Sequence, residues 1–358
     1  MIRVLIVEDS AVIREFLVHI LSSDPEVEVI GTAENGEQAL AAVAQTKPDV
    51  ITMDVHMPRM NGFDATRRIM ETRPTPIVIV SGTLDITEAT HAFRAMEAGA
   101  LAVLQRPAGI GDPDHEVSAA DLIRTVKLMA EVKVVRRWTR SRPPDVIPAG
   151  SLPVEVRVPA GEIAVVAMGA STGGPPALQS ILSRLPKRFP VPVLVVQHTA
   201  AGFTDGFVEW LAQSSNLPVH VPTQGEHILP GHAYVAPEGF HMQVRIDGRI
   251  WLSMEEPENG LRPSVSSLFR SVAKVYGKKA IGVLLTGMGK DGARELKLMK
   301  EQGAVTIAQD RESSVVHGMP GEAIALGAAA YVLSPEEIAL ALTSLVGAGS
   351  PEQSMRST

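Results

Sequence analysis

The sequence predicts an α/β protein made of two doubly wound parallel-sheet domains. Short apolar runs alternate with stretches of helical periodicity in both halves, the pattern of strands joined by crossover helices. Polar and glycine-rich turns close most of these runs, at the edge where a parallel sheet gathers its chemistry. Between the halves lies a stretch rich in Pro, Gly and Arg, the composition of a domain boundary. A chain of 358 residues is long enough for two such domains, each with its own core.

Composition narrows the function. Apolar residues make up 45% of the chain, so it folds. Aromatics make up only 4%, too few for a base-stacking nucleic-acid surface, and the net charge of −7 opposes bulk affinity for DNA or anionic lipid. The absence of cysteine rules out disulfides, thiolate metal sites and a cysteine nucleophile. The opening run Ile2 to Val7 is too short for a signal peptide, and no run reaches the length of a membrane span. The expected compartment is the cytoplasm.

In the first half, Val4 to Val7 reads as a strand, with Glu8, Asp9 and Ser10 at its carboxyl end. Ser10 is placed to cap a helix whose inward face is Ile13, Phe16, Leu17 and Ile20. Val27 to Ile30 is a second strand, and Glu37 to Ala44 has helical composition. Val50 to Met53 is a third strand, ending at Asp54, with Pro58 and Gly62 marking the loop. Ile77 to Val80 is a fourth, ending at Ser81. Leu101 to Leu104 is a fifth, followed by Gln105, Arg106 and Pro107.

The carboxyl edge of that sheet therefore collects Glu8, Asp9, Asp54, Ser81 and Arg106. Singly, Asp9 reads as a helix cap and Asp54 as a loop residue. Together, three carboxylates at one edge repel one another and need a cation. Hard oxygen ligands with room for water suit Mg²⁺, which would also neutralise a phosphoryl group arriving on one carboxylate.

These residues resemble those of a response-regulator receiver domain, over about residues 2 to 120. The resemblance implies a flavodoxin-like fold. It implies that Glu8 and Asp9 hold Mg²⁺, that Asp54 is the phospho-acceptor, and that Met57 lends the metal a backbone carbonyl. Ser81 becomes the hydroxyl that responds to phosphorylation. Two positions depart from the pattern: Arg106-Pro107 stands where the family has Lys-Pro, and Val103 takes the usual aromatic switch position. Weaker activation is the expectation from those departures.

Gly109 to Pro113 is turn-rich, and Ala119 to Val135 has a helical pattern. A basic cluster from Arg136 to Arg142 precedes Pro143-Pro144, and it reads as a solvated linker. The expected boundaries are a first domain over 1–120, a linker over 121–161, a second domain over 162–346 and a disordered tail over 347–358.

In the second half, Ile163 to Met168 reads as a buried strand. It breaks into a small-residue turn and then Pro175-Pro176, followed by Leu178, Ile181, Leu182 and Leu185 on one helix face. Ser171 thus sits on a strand–turn–helix elbow, and residues 169–173 fit G-x-S-x-G. A phosphate-cradling turn, or a merely tight one, fits this stretch equally well. Val191 to Gln197 is the next buried strand, with His198 at its end. So short a βαβ unit makes the two strands parallel neighbours. Ser171 and His198 then emerge at one edge, where a histidine can act as general base.

Ala233 to Pro237 is a further strand, followed by His241. Gln243 to Ile246 and Ile250 to Ser253 flank Asp247-Gly248, a hairpin signal. Ile281 to Leu285 is a buried strand ending in the turn Thr286 to Gly292, and Val305 to Ala308 is one more. A serine whose proton goes to a histidine, itself oriented by a carboxylate, performs acyl transfer. Ser171, His198 and Asp291 supply those groups, in an order unlike that of the α/β-hydrolases, so geometry must decide. Backbone N–H groups after Ser171 and in the Gly287-Met288-Gly289 turn are the candidate oxyanion donors.

Residues from about 162 to 346 resemble the catalytic domain of the chemotaxis protein-glutamate methylesterases. The resemblance rests on Gly169 to Gly174, Val196-Gln197-His198, Ala236-Pro237, Arg262 to Val265, Leu285 to Gly292 and Gly318-Met319-Pro320. It implies a Rossmann-like serine hydrolase with a β-hairpin insertion. It implies a triad of Ser171, His198 and Asp291, with Thr172 and Met288 beside the oxyanion. The implied substrate is the glutamate γ-methyl ester on chemoreceptor helices, hydrolysed to glutamate and methanol, and certain receptor glutamines are deamidated.

The implied partners are methyl-accepting chemoreceptors and a chemotaxis histidine kinase. Contact with the membrane comes only through receptors, no nucleic acid is bound, and the chain is a monomer. Mg²⁺ serves receiver phosphorylation, the esterase needs no cofactor, and the unphosphorylated receiver shields the active site. Two rivals stand beside this reading. One is a methylesterase of a chemosensory pathway other than motility. The other is a docking module with a silent hydrolase domain, against which an intact Ser171, His198 and Asp291 argue.

Overall fold

The computed structural model describes residues 1–82, 93–132, 134 and 163–347. The expected linker falls largely outside the described residues, as do its basic cluster, 136–142, and the expected tail beyond Gly347. Two compact units make up the chain, and each is taken by itself.

The first unit is a parallel sheet of β1 (Ile2–Val7), β2 (Val27–Ala33), β3 (Val50–Met53), β4 (Ile77–Ser81) and β5 (Ala102–Gln105). Its order is β2-β1-β3-β4-β5, the flavodoxin order. Every residue of β3 and β4 is buried, as a sheet covered on both faces requires. The covering helices are α1 (Ala11–Ser22), α2 (Gly36–Thr46), α3 (Gly62–Thr72) and α4 (His115–Ala130). Helix α4 packs on α1, β3, β4 and β5, so the packing of this unit continues to Ala130. On α1, Leu17, Ile20 and Leu21 are buried while Ile13 and Phe16 are half-buried. Ser10 takes the N-cap position, but its hydroxyl makes no capping bond. Its N–H instead donates to Glu8 Oε1 at 3.3 Å.

The second unit holds β6 (Val165–Ala170), β7 (Val193–Gln197), β8 (Val219–His220), β9 (Ala233–Val235), the hairpin β10 (His241–Val244) and β11 (Ile250–Ser253), then β12 (Ala280–Leu284), β13 (Val305–Gln309) and β14 (Tyr331–Leu333). Seven of these form one parallel sheet in the order β14-β13-β12-β6-β7-β9-β8. The chain winds outward from β6 through β7, then returns to the other side of β6 with β12. The β6/β12 pair is therefore the switch point where such sheets open a crevice.

Its helices are α5 (Gly174–Leu182), α6 (Thr204–Ser214), α7 (Val265–Tyr276), α8 (Ala293–Glu301), α9 (Met319–Ala325) and α10 (Pro335–Gly347). The two prolines occupy the first turn of α5, and Leu178, Ile181, Leu182 and Leu185 are fully buried. The antiparallel hairpin packs its Met242, Val244 and Ile250 into the core shared with Leu268, Phe269 and Val272 of α7. His241 opens β10 and is buried; its Nδ1 accepts the Ser264 N–H at 3.2 Å, and its Nε2 lies 3.1 Å from Glu256 O. That bond ties the hairpin to the N-cap of α7. The edge strands β8 and β14 are too short to carry a periodic signal. Among the described residues no helix is long and apolar enough to cross a membrane.

Candidate active site

Ser171 directly follows β6 at the switch point. The turn after it depends on Gly173, whose φ is 77° and where a Cβ would come within 2.5 Å of Val315. The left-handed residue of the G-x-S-x-G turn is thus this glycine, not the serine. The Ser171 N–H donates to Thr286 O at 3.0 Å, and Ser171 O accepts the Gly174 N–H at 2.8 Å.

His198 directly follows β7. Ala170 and Gln197 are register partners in the β6/β7 pair, and the His198 N–H donates to Ala170 O at 3.0 Å. Ser171 and His198 are therefore adjacent strand-end residues. Among the described residues the His198 ring makes one hydrogen bond, from Nε2 to Asp291 Oδ2 at 3.0 Å, and Ser171 Oγ makes none.

Asp291 lies in the loop beyond β12 and is only 4% exposed. Its Oδ2 also accepts the Val265 N–H at 2.6 Å; its Oδ1 accepts the Ser266 N–H at 3.1 Å and the Ser266 hydroxyl at 2.6 Å. Val265 and Ser266 open α7. The carboxylate thus sits on the orphan donors and the positive end of a helix dipole. Burial pushes the Asp291 carboxyl up, but bonds from His198, Ser266 and Val265 outweigh burial and hold it below the usual carboxylate range. An ionised carboxylate only accepts, so Nε2 of His198 donates in this bond, and in the neutral ring the lone pair is then on Nδ1.

Beside Ser171, the backbone N–H groups of Thr172 and Met288 meet no protein acceptor among the described residues, nor do those of Gly173 and Gly289 that follow them. The residues before Thr172 and Met288 are engaged: the Ser171 N–H donates to Thr286 O, and the Gly287 N–H to Val316 O at 2.9 Å. A Cβ on Gly287 would lie 2.7 Å from Ser171 Cβ, so the Met288 turn closes directly against the serine.

Three residues that sequence reasoning passed over frame this edge. Thr286 Oγ1 lies 2.9 Å from Thr172 O. Ser266 braces Asp291. Gln197 reaches under both Ser171 and His198. The sequence held one signal for them, an amide at the end of a strand next to a candidate base. Nothing in it marked Ser266, whose role depends on where α7 begins.

In the first unit, Glu8, Asp9 and Asp54 each bring a carboxylate oxygen within 4.8 Å of the others. Glu8 and Asp54 are buried and Asp9 is exposed. Glu8 Oε2 is buried without a hydrogen-bond partner, with Arg106 Nη2 3.5 Å away. Burial, with Asp54 beside it, pushes the Glu8 carboxyl up to about 7 against the pull of Arg106. Burial likewise pushes Asp54 up, against its bond from the Val55 N–H and the Arg106 charge. Three convergent carboxylates with an orphaned buried oxygen fit a divalent cation. Ser81 ends β4 and is buried, and its carbonyl accepts the Arg106 N–H at 2.8 Å. The guanidinium lies over Gly82, where a Cβ would meet it at 2.6 Å. Met57 is buried in the loop after β3, and Val103 is half-buried on β5.

The response regulator receiver domain family matches residues 4–114, and the CheB methylesterase family matches residues 166–342. Over 352 residues the chain is 61% identical to the protein-glutamate methylesterase/protein-glutamine glutaminase of Nitrosospira multiformis, with 97% of each chain covered. A like-named protein of Geobacter metallireducens is 60% identical over 346 residues, covering 96% of this chain and 99% of that one. The crystal structure of the Thermotoga maritima CheB methylesterase catalytic domain is 40% identical, at a TM-score of 0.50, covering 52% of this chain and 100% of that one. An elbow serine, a carboxylate-anchored histidine and a carboxylate trio on a separate sheet are thus joined by similarity over nearly the whole length, and the chain belongs to the protein-glutamate methylesterase/protein-glutamine glutaminase family.

Proposed function

We propose that this chain is a phosphorylation-regulated serine hydrolase of chemotaxis. It hydrolyses glutamate γ-methyl esters on chemoreceptors to glutamate and methanol, and it deamidates certain receptor glutamines. The observation that carries the assignment of residues is the buried Asp291 carboxylate, seated on the N-terminus of α7 and bonded to His198 Nε2 at the sheet edge that bears Ser171.

Ser171 Oγ attacks the ester carbonyl carbon while its proton passes to His198 Nδ1. The carbonyl oxygen gains negative charge and is met by the Thr172 and Met288 N–H groups. Asp291 stabilises the imidazolium, which returns the proton to the departing methoxide, giving methanol and a Ser171 acyl ester. Water repeats the attack with His198 as base and releases glutamate. In the glutamine reaction ammonia leaves in place of methanol, and the oxyanion occupies the same place, so one site serves both.

In the first unit, Glu8, Asp9 and Asp54, with the Met57 carbonyl, would hold Mg²⁺, which when bound would offset the charge of a phosphoryl group. Asp54 accepts that group from a histidine kinase, and Arg106 and Ser81 stand at its edge to respond. The receiver occupies residues 1–120 together with its closing helix, and the catalytic domain occupies about 162–346. The test is methanol release from methylated receptor membranes, with and without a small phosphodonor. No methanol from wild type under either condition would refute the reading.

A further inference from the structure

The orientation of the candidate oxyanion donors is set from behind. In a planar trans peptide the C=O and the following N–H point to opposite sides. Fixing a carbonyl therefore aims the next residue's N–H. The Met288 N–H shares its peptide with Gly287 O, which accepts the N–H groups of Gly318 at 3.1 Å and Met319 at 2.9 Å. Two main-chain donors thus hold that peptide.

The Thr172 N–H shares its peptide with Ser171 O. One main-chain donor reaches this carbonyl, the Gly174 N–H at 2.8 Å. The second is a side chain: Gln197 Nε2 donates to Ser171 O at 2.9 Å and to His198 O at 2.7 Å. Both amide hydrogens are committed to carbonyls, which fixes the orientation of the carboxamide, since Oε1 in that place would face two acceptors. Gln197 is only 4% exposed, and its Oε1 is buried without a partner. That oxygen lies where a Cβ on Gly174 would come within 2.1 Å, so the glycine leaves the space the carboxamide needs. A buried amide with one unsatisfied oxygen is costly, and here its donors go to the carbonyls of the candidate nucleophile and base alone.

We propose that Gln197 is a positioning residue of the oxyanion hole: its carboxamide pins the Ser171–Thr172 peptide so that the Thr172 N–H faces the charge developing on the substrate. This rests on the hydrolase reading above. The same carboxamide joins that peptide to the one after His198, so nucleophile, donor and base keep one geometry. Pre-aimed donors stabilise the transition state because they need no reorganisation during the reaction.

The test replaces Gln197 with Met, which keeps the length and loses both donors, and measures methanol release alongside binding of propylboronic acid, whose tetrahedral adduct on Ser171 places an oxygen at the same donors. Removing an oxyanion donor outright lowers kcat by roughly 10²- to 10³-fold. For Gln197→Met the expected fall, with the donor misaimed but still present, is roughly 10- to 100-fold in kcat with KM within about twofold, and boronate affinity falling in proportion. Gly174→Ala, which displaces the carboxamide without altering it, should give the same split and serves if Gln197→Met does not fold. A folded variant with kcat within about threefold of wild type overturns the proposal, as does a fall in kcat with boronate affinity unchanged. Ser171→Ala separates the two levels of the argument. If it still turns over and binds boronate, the hydrolase reading has failed, not the role of Gln197.

Discussion

Asp291 grips His198 by Nε2, at 3.0 Å from its Oδ2, and so leaves Nδ1 without a protein hydrogen bond among the described residues. The carboxylate can do this while buried because the first N–H groups of α7 hold it ionised. The histidine's tautomer is thus decided by a helix that begins 26 residues before the aspartate.

That arrangement orders the losses on substitution. Ser171→Ala and His198→Ala should each abolish methanol release, by a factor on the order of 10⁴ to 10⁶ in kcat, and Asp291→Asn should cost somewhat less. Steady-state kinetics on methylated receptor membranes read this directly. Appreciable turnover by a folded Ser171→Ala protein rules out the nucleophile assignment.

Asp291 also makes a prediction about acid stability. Its carboxyl is held below the ordinary value of 3.8. A depressed folded-state value stabilises the fold above the unfolded value, and that stabilisation is lost as pH falls through the folded one. Denaturant midpoints of wild type should therefore fall below about pH 4, and Asp291→Asn should be lower at neutral pH with a flatter acid limb. Parallel curves for the two proteins would remove Asp291 from the acid response.

Asp54 should carry the phosphoryl group and need a divalent ion. A small phosphodonor is expected to label wild type, and labelling should vanish in Asp54→Ala or with EDTA. Glu8→Gln should weaken Mg²⁺ binding measured by calorimetry, because it removes one of three convergent carboxylates. Unchanged labelling of Asp54→Ala refutes the acceptor.

A fragment from about residue 163 should fold and release methanol without phosphodonor. The sheet β14 to β8, its core and the Ser171, His198 and Asp291 edge all lie within it. It should be at least as fast as the unphosphorylated full chain. A folded but slower fragment would contradict an inhibitory receiver.

Arg106 and Val103 should make activation weak. Arg106 already lies 3.5 Å from Glu8, with its planar head over Gly82, where a lysine would place a compact charge. Val103 has no ring to swing. Arg106→Lys with Val103→Phe should raise the fold-increase in methanol release on phosphorylation. Strong activation of wild type, unimproved by the double replacement, would show these departures to be neutral.

The sequence by itself determined the two α/β units, the strand ends and the identity of the residues at them. Strand signals are local: β-branched runs such as Val193 to Gln197 must be buried wherever they sit, and a parallel sheet puts their carboxyl ends at one edge. Ser171, His198 and Asp54 could be singled out because each ends such a run. Tertiary structure decided what holds them. Which nitrogen of His198 faces Asp291 depends on the start of α7, and α7 is fixed by His241 from the hairpin. That Gly173 takes the left-handed turn against Val315, and that Gln197 reaches the carbonyls of both Ser171 and His198, follow from contacts between segments distant in the chain; Ser10 leaves its helix uncapped while its N–H donates to nearby Glu8. Periodicity reports which face of an element is buried; it carries no information about the partner across the sheet edge, where hydrogen-bond direction and a few ångströms of register set the chemistry.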